Sequence, residues 1–508
     1  MVETKVIKCN RIELYFKLIS KTLLKRSTYV SFIDKYIIIF VTSNSIKAQG
    51  YMKNKVFYLL IVFFIPFSTI SSQNIKSSDS IPNYIKIIKS YVYKDYKLMY
   101  RPCAGALVYP FLTPGSNQYN NVLWDWDSWL SNVALRQILS DIGSEKDKQE
   151  AVKYEQGCVL NFLHYGDWDG YIPIVIWADS KPRDIKPENI YDVNMHKPVL
   201  AQHAAFLTQQ NKNNAEWLRE DFFHLQAFVN NYKAHHRDKS TGLYYWQTDV
   251  AIGVDNDPCT FFRPNKSSGS IYLNCLMYKE LKSMVYLSNC LNLSDVGKEF
   301  ETDAENLKLA IQKNCWDERD GFFYSVDLNL KPVTLQPDSS LGRTFNIHAG
   351  YPRDYDCLIQ RIEVWSGFLA MWAGIATPEQ AERMVKEHYL NPKTFNSPSG
   401  VRTLSKMEKM YSLRASANPS NWRGPIWGIS NYMVFKGLVK YGYTKEANEL
   451  AGKTIKLFGR DFEKNGALHE YYEPETGEPL LNKGFQNWNY LVVNMAAWLE
   501  GRKVVEEF

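Results

Sequence analysis

Three clusters of residues combine types that could do chemistry together. In Trp124-Asp125-Trp126-Asp127-Ser128-Trp129, indole rings alternate with carboxylates. Such rings stack on a sugar face while the acids accept hydrogen bonds from its hydroxyls. The same run also reads as a helix start with an Asp cap and buried Trp. In Gly253-Val254-Asp255-Asn256-Asp257-Pro258, Asp255 sits beside another acid and between Val254 and Pro258. Desolvation and a like charge both raise a carboxyl pKa, which suits a proton donor, whereas an Asx-turn feeding Pro258 is the structural alternative. The third cluster is C-terminal. Asn418-Pro-Ser-Asn-Trp422-Arg423-Gly424-Pro425-Ile426-Trp427 is followed by His469-Glu470-Tyr471-Tyr472-Glu473-Pro474-Glu475-Thr476-Gly477 and Gly484-Phe485-Gln486-Asn487-Trp488. Aromatics, one fixed cation and several acids recur there, with helix caps and solvated loop acids as the bland reading.

These clusters lie far apart in sequence, so the fold must bring them together. Helical periodicity dominates the chain. Leu218, Phe222, Leu225, Val229 and Tyr232 share a face, as do Leu273, Met277, Leu281 and Met284. Phe300, Ala304, Leu307 and Ile311 form another stripe, and Trp488, Leu491, Val492, Met495 and Leu499 the last. Strand patterns are few and short. Between helices, Gly105, Gly170, Gly242, Gly321, Gly400 and Gly466 recur in turn contexts, at gaps of 65, 72, 79, 79 and 66 residues. Each gap has room for two helices and their loops. Six such units predict an all-α fold, a closed ring of helix pairs or (α/α)6 toroid.

The chain has 508 residues, of which 45% are hydrophobic and 14% aromatic, too apolar for a disordered or fibrous protein. Its net charge of +6 is unevenly placed. Residues 1–73 hold eleven Lys/Arg and three acids, 11 − 3 = +8, leaving +6 − 8 = −2 for the rest. Met52-Lys53-Asn54-Lys55, the apolar run Val56 to Ile65, and Pro66 with the polar stretch Ser68 to Gln73 form the three regions of a secretory signal. The apolar run is too short for a membrane-spanning helix. We therefore expect an upstream extension over 1–51, a signal peptide over 52–73, a single catalytic domain over 74–508, and export to the periplasm or beyond. The slightly acidic remainder argues against nucleic acid as a partner. Of eight cysteines, seven follow the leader, with no C-x-x-C pair or metal-like spacing.

Taken in order, Trp126-Asp127, Gly253-Val-Asp255-Asn256, Asn421-Trp422-Arg423-Gly424-Pro425-Ile426-Trp427 and Glu470-Tyr-Tyr-x-Pro-x-Thr-Gly477 resemble glycoside hydrolase family 63 and its trehalase-like relatives. The resemblance runs across about residues 95–500, and its last two motifs are the most specific. It implies an (α/α)6 barrel and an inverting, exo-acting α-glycosidase for a glucoside or mannoside. Carried over by position, Asp255 is the implied general acid and Glu470 the general base. Trp126, Asp127, Asn256, Trp422, Arg423 and Trp488 are the implied substrate-binding residues. Lys197-Pro198-x-Leu200-Ala201-Gln202 resembles another pocket-lining helix start and adds Gln202.

The acid motif departs from that of many relatives. Ala251-Ile252 precede Gly253, Asp257 replaces Ser and Cys259 replaces Arg, which leaves the bound sugar open. The trehalase signature Gln-Trp-Asp-x-Pro-x-Gly-Trp is absent, and the chain resembles the short, barrel-only members, mannosylglycerate hydrolases among them. Paired carboxylates need no cofactor, and no Gly-rich phosphate loop, zinc cluster or EF-hand-like loop occurs. Two competing classes use the same barrel: a sugar isomerase or epimerase, for which His203 and His469 are available, and an inactive carbohydrate binder. Arg402, Lys406 and Arg414 precede Trp422 and offer charges for an anionic aglycone, or for solvent.

Overall fold

The computed structural model describes residues 80–508 except 117, 331–354 and 416–417, together with the backbone of two N-terminal strands. The signal-peptide region 52–73 lies outside the described residues. Within the unit Met1–Ser77, strands Ser27–Ile33 and Tyr36–Thr42 pair antiparallel. The second unit, Ser78–Phe508, carries the functional clusters.

Apart from the lone turns Pro182–Ile185 and Glu216–Leu218 and the 3₁₀ and wide turns that adjoin longer runs, twelve helices follow one another among the described residues of this unit. They are α1 (Ile81–Asp95), α2 (Asp125–Ile142), α3 (Glu145–His164), α4 (Leu200–Gln210), α5 (Phe222–His235) and α6 (Ile271–Cys290). Then come α7 (Ser294–Cys315), α8 (Leu369–Trp372, after a 3₁₀ turn from Trp365), α9 (Pro378–Arg383, extended by a wide turn to Tyr389), α10 (Gly428–Lys440), α11 (Thr444–Asn465) and α12 (Val492–Leu499, after a 3₁₀ turn from Asn487). Burial alternates along this series. The even-numbered helices are buried nearly all round, as α2 is from Asp125 to Leu135 and α4 from Leu200 to Thr208. The odd-numbered ones bury one stripe, such as Tyr84, Ile85, Ile88 and Val92 on α1. A helix apolar on one face belongs to the outer layer; one buried on every face is an inner wall.

The contacts close the ring. Inner helices touch in the order α2, α4, α6, α8, α10, α12, and the 3₁₀ turn leading into α12 packs against α2 again; outside them α11 packs on α1. This is the (α/α)6 toroid expected from the six glycine turns. All six glycines have positive φ, from 54° at Gly105 to 136° at Gly400. Each follows an outer helix, on the connector that leads to the next inner one. Leu218 is a small difference: it lies in a separate 3₁₀ turn, Glu216–Leu218, before α5 begins.

The two kinds of connector differ in length, and that difference places the site. Inner-to-outer links are short, as at Gly143-Ser144 and Leu291-Asn292-Leu293. Outer-to-inner links are long and carry the paired strands of two or three residues, including Ile426–Trp427 against Tyr471–Tyr472. Described residues of five of these links meet at the mouth where the inner helices begin. No described helix is long and apolar enough to cross a membrane, and none of the seven described cysteines forms a disulfide.

Candidate active site

The long connectors enclose a cavity of about 270 Å3 at that mouth. Ligand pockets run from about 300 to 1,000 Å3, so this one suits a single sugar ring. Tyr119 and Trp124 come from the α1–α2 link and Lys197 from α3–α4. Ala251, Gly253 and Asp255 come from α5–α6, Asn418, Ser420, Trp422 and Trp427 from α9–α10, and Glu470 and Phe485 from α11–α12. Trp126 and Asp127 stand on the first turn of α2, and Trp488 on the turn before α12. Asp255 and Glu470, 215 residues apart in sequence, thus face one space.

The indoles build the walls. Trp422 and Trp427 stack at 4.0 Å with planes 12° apart. Trp126 meets Trp488 edge-on at 5.2 Å and Trp422 at 6.0 Å. The indole N–H groups of Trp124, Trp422 and Trp488 are buried without a protein acceptor. A buried donor needs a partner, and a sugar hydroxyl in the cavity can supply one.

The floor is a buried ion pair. Asp125, the first residue of α2, accepts from the Lys197 ammonium at 2.9 Å and from the backbone N–H of Lys197 at 3.0 Å and Trp126 at 2.8 Å. This locks the α2 start to the α3–α4 link and neutralises Lys197. Gly253 explains how the Asp255 loop passes so close: with φ of +90°, a Cβ there would stand 2.4 Å from Lys197 Cε and 3.0 Å from the Trp126 ring. Only glycine fits.

Three carboxyls in this cavity are shifted upward. Burial raises Asp255, opposed by a hydrogen bond from Asn418 and by the charge of Lys197. Burial pushes Glu470 up to about 7, against hydrogen bonds from Asn482 and Ser420, and the charge of Asp255 adds to the rise. Burial and then the neighbouring Asp125 push Asp127 up to about 8, opposed by Lys197 and by a hydrogen bond from Asn487. Burial disfavours the charged form, and like charges reinforce it.

One short stretch ties the acid and the base together. Asn418 bonds to Asp255 and Ser420 Oγ donates to Glu470 at 3.3 Å. Asn256, next to Asp255, donates to Ser420 O at 2.9 Å and accepts from the Trp422 N–H at 3.1 Å. Tyr471, next to Glu470, donates to Pro419 O at 2.7 Å. Residues 418–420 are therefore held from both sides by the neighbours of the two carboxyls they touch. Behind Glu470, Asp461 on α11 accepts from His469 Nδ1 and from Tyr472 Oη, each at 2.8 Å.

Not every residue expected at the site faces it. Gln202 is fully buried on the first turn of α4, where its amide donates to Pro198 O and Leu276 O. Arg423 reaches Arg414 O at 3.2 Å and supports its own loop rather than the cavity wall. Asn256 acts through the loop it holds, as above. Asp257 accepts from the Cys259 N–H and the Thr260 hydroxyl, the Asx-turn role. Arg402 is buried against three backbone carbonyls and Glu475, which Lys406 also engages, so neither lines the cavity. His203 is buried beside Asn132, its pKa pushed down to about 3 by burial, and neither it nor His469 lines the cavity. Among the described residues, no histidine lines this wall.

Sequence reading passed over others. Lys197, Trp427, Tyr119 and Phe485 are wall residues that stood inside or beside the quoted motifs without being singled out. Asn482 was missed altogether; its amide donates to Glu470, and its left-handed φ of 41° marks a turn that Asn-Lys-Gly signals.

Comparison with known proteins agrees with this geometry. A profile of the mannosylglycerate hydrolase MGH1-like glycoside hydrolase domain matches residues 119–489. Mannosylglycerate hydrolase MGH1 of Selaginella moellendorffii is 24% identical over 425 residues, covering 74% of this chain and 80% of that protein. The solved family 63 mannosylglycerate hydrolase of Thermus thermophilus, in complex with Tris and D-glycerate, superposes with a TM-score of 0.57 at 19% identity, over 80% of this chain and 99% of that one. Neutral trehalase Nth1 of Saccharomyces cerevisiae follows at 0.54 and 17%, over 81% and 80%. With a family profile spanning most of the toroid and the cavity at its mouth, the chain belongs to the MGH1-like domain family of glycoside hydrolase family 63 and is a glycoside hydrolase.

Proposed function

We propose that this glycoside hydrolase is an inverting, exo-acting α-glycosidase that releases one glucosyl or mannosyl unit from an oligosaccharide or small glycoside. The observation that carries the reading is the pair Asp255, half-buried, and Glu470, buried, two carboxyls with raised pKa facing one ring-sized cavity. Inversion needs an acid to protonate the leaving oxygen and a base to activate water on the opposite face. Two coupled carboxyls serve this naturally: once one ionises, its charge holds the proton on the other. Asp255 is the donor in this reading. Glu470 is the base, the role that the resemblance of its motif implies, and Asn482 and Ser420 donate to its ionised form. A base with a pKa of about 7 is poised for neutral pH.

The sugar to be released would stack on Trp126, Trp422 and Trp488, with Asp127 bonding its hydroxyls. The small cavity favours cleavage at a chain end, because a longer glycan would need an open groove. Relatives suggest the leaving group: mannosylglycerate hydrolases, by their name, have an acid as aglycone, and the more distant probable mannosyl-oligosaccharide glucosidase of Schizosaccharomyces pombe a glycan. A panel of α-glucosides, α-mannosides and glycosyl-glycerates tests the reading by release of free monosaccharide. Hydrolysis of one α-glycoside class is expected. Interconversion of a reducing sugar, or binding without turnover across the panel, would overturn it.

A further inference from the structure

A second cavity opens at the other end of the toroid, where the inner helices finish. It measures about 690 Å3. Gln209 near the end of α4, Lys279, Lys282 and Tyr286 on α6, Gly374 after α8 and Lys440 at the end of α10 contribute to its wall, with Glu506, Glu507 and Phe508 of the C-terminal tail. None of these residues touches the mouth that holds Asp255 and Glu470.

The charges here are unevenly matched. Glu507 is engaged by Trp372 Nε1 at 2.9 Å, by Tyr432 Oη at 2.7 Å and by Lys436 at 4.0 Å. Glu506 pairs with Lys436 at 2.8 Å, and Lys282 with Glu301 at 2.7 Å. Among the described residues, that leaves Lys279 and Lys440 without an ion-pair partner. Lys440 has a local explanation: it ends α10 and reaches the Trp372 carbonyl at 3.4 Å, as a cation near helix C-termini does. Lys279 has none. It stands mid-helix, with its ammonium 5.6 Å from the Trp372 ring centre and 5.5 Å from that of Phe508. Ring faces compensate a buried ammonium only in part.

We propose that this far-mouth cavity is a second ligand site, for a small organic anion whose carboxylate or phosphate sits between Lys279 and Lys440. The rings of Phe508 and Tyr286 would pack against the rest of the ligand. The tail carboxylates Glu506 and Glu507 make their hydrogen bonds and ion pairs elsewhere, with Lys436, Tyr432 and Trp372, and act on these two ammonium groups only at a distance. Burial and the charge of Lys440 pull Lys279 down to about 8, opposed by Glu507 and Glu506 and reinforced by Lys436, so a substantial share of its amine is free at mildly alkaline pH.

Pyridoxal 5′-phosphate is a suitable probe, since it joins an anion to an amine-reactive aldehyde. The Lys279 amine adds to the aldehyde and loses water, and borohydride reduces the imine to a stable secondary amine. The full-length protein is labelled at low probe concentration, digested and mapped. The expected result is one dominant adduct at Lys279, reduced at least about tenfold by inorganic phosphate or by succinate, and likewise in Lys440→Met. The two competitors separate phosphate from carboxylate ligands. Inorganic phosphate should also raise the melting temperature of the wild type and not that of Lys279→Met, whose near-isosteric side chain removes a buried charge and keeps the fold. Adducts scattered over surface lysines, labelling unaffected by either anion, or an undiminished phosphate shift in Lys279→Met would overturn the proposal.

Discussion

Glu470→Gln should make this protein more stable at alkaline pH and leave it unchanged at acid pH. In the folded state burial pushes the Glu470 carboxyl from 4.5 up to about 7. Below pH 4.5 the group is protonated in both folded and unfolded chains, and it contributes no difference. Because the folded chain binds this proton more tightly, stability is lost as pH rises from 4.5 through 7. Above 7 the full cost is present, about 3 kcal/mol from that span at 1.36 kcal/mol per pH unit. Gln is neutral at every pH, and its amide can still accept from Asn482 and donate to the Ser420 oxygen. Unfolding entropy of about 2.1 cal/mol/K per residue over a body of roughly 430 residues converts the cost to a shift of about 3 °C. Thermal melts of wild type and variant at pH 4.5 and pH 8 measure it. An equal shift at both pH values, or a variant less stable at pH 8, would show that burial of the charge is not what raises the pKa.

The remaining expectations concern turnover and processing. Asp255→Asn should lower kcat/KM about 10²- to 10⁴-fold on a glycoside with a poor leaving group, and far less on a glycosyl fluoride, whose departure needs no proton; equal losses would remove Asp255 from the acid role. In wild type, kcat/KM should fall below about pH 7, where Glu470 takes up its proton. Ser420→Ala removes a hydrogen bond that favours ionised Glu470, so the acidic limb should move to higher pH. Asn418→Ala removes the corresponding bond to Asp255 and should move the alkaline limb upward instead. A profile in which either change moves both limbs equally would deny the separate roles. Export of the full chain should yield a mature N-terminus within or just after Ser68 to Gln73 by N-terminal sequencing; an unprocessed intracellular product would contradict the signal peptide.

The ring was legible because its signals are local. A glycine with positive φ after each outer helix, and apolar periodicity between them, is written in neighbouring residues, and Gly242, Gly321 and Gly466 stand where that reading puts them. Asp255, Glu470, Trp126, Trp422 and Trp488 line one cavity, and it was the resemblance of their motifs to a known family, not local pattern alone, that singled them out. What could not be read was direction. Gln202 stands two residues into α4, and only the packing of α6 reveals that its amide turns to Leu276 O. Arg423 adjoins a wall tryptophan yet points back along its own loop. Long-range pairs were equally hidden. Nothing near Asp125 announces Lys197, 72 residues away, as its buried partner. The need for glycine at 253 arises from its φ of +90° and from the close approach of that lysine and Trp126.

The stereochemistry of the first product tests the account most directly. With the α-glycoside that the panel identifies, proton NMR within the first turnovers, before mutarotation, reports the anomer released by the wild type. The β-anomer is expected, formed by water that Glu470 activates opposite the leaving group, and its loss in Glu470→Gln. Release of the α-anomer, or an unchanged rate in Glu470→Gln, would contradict it.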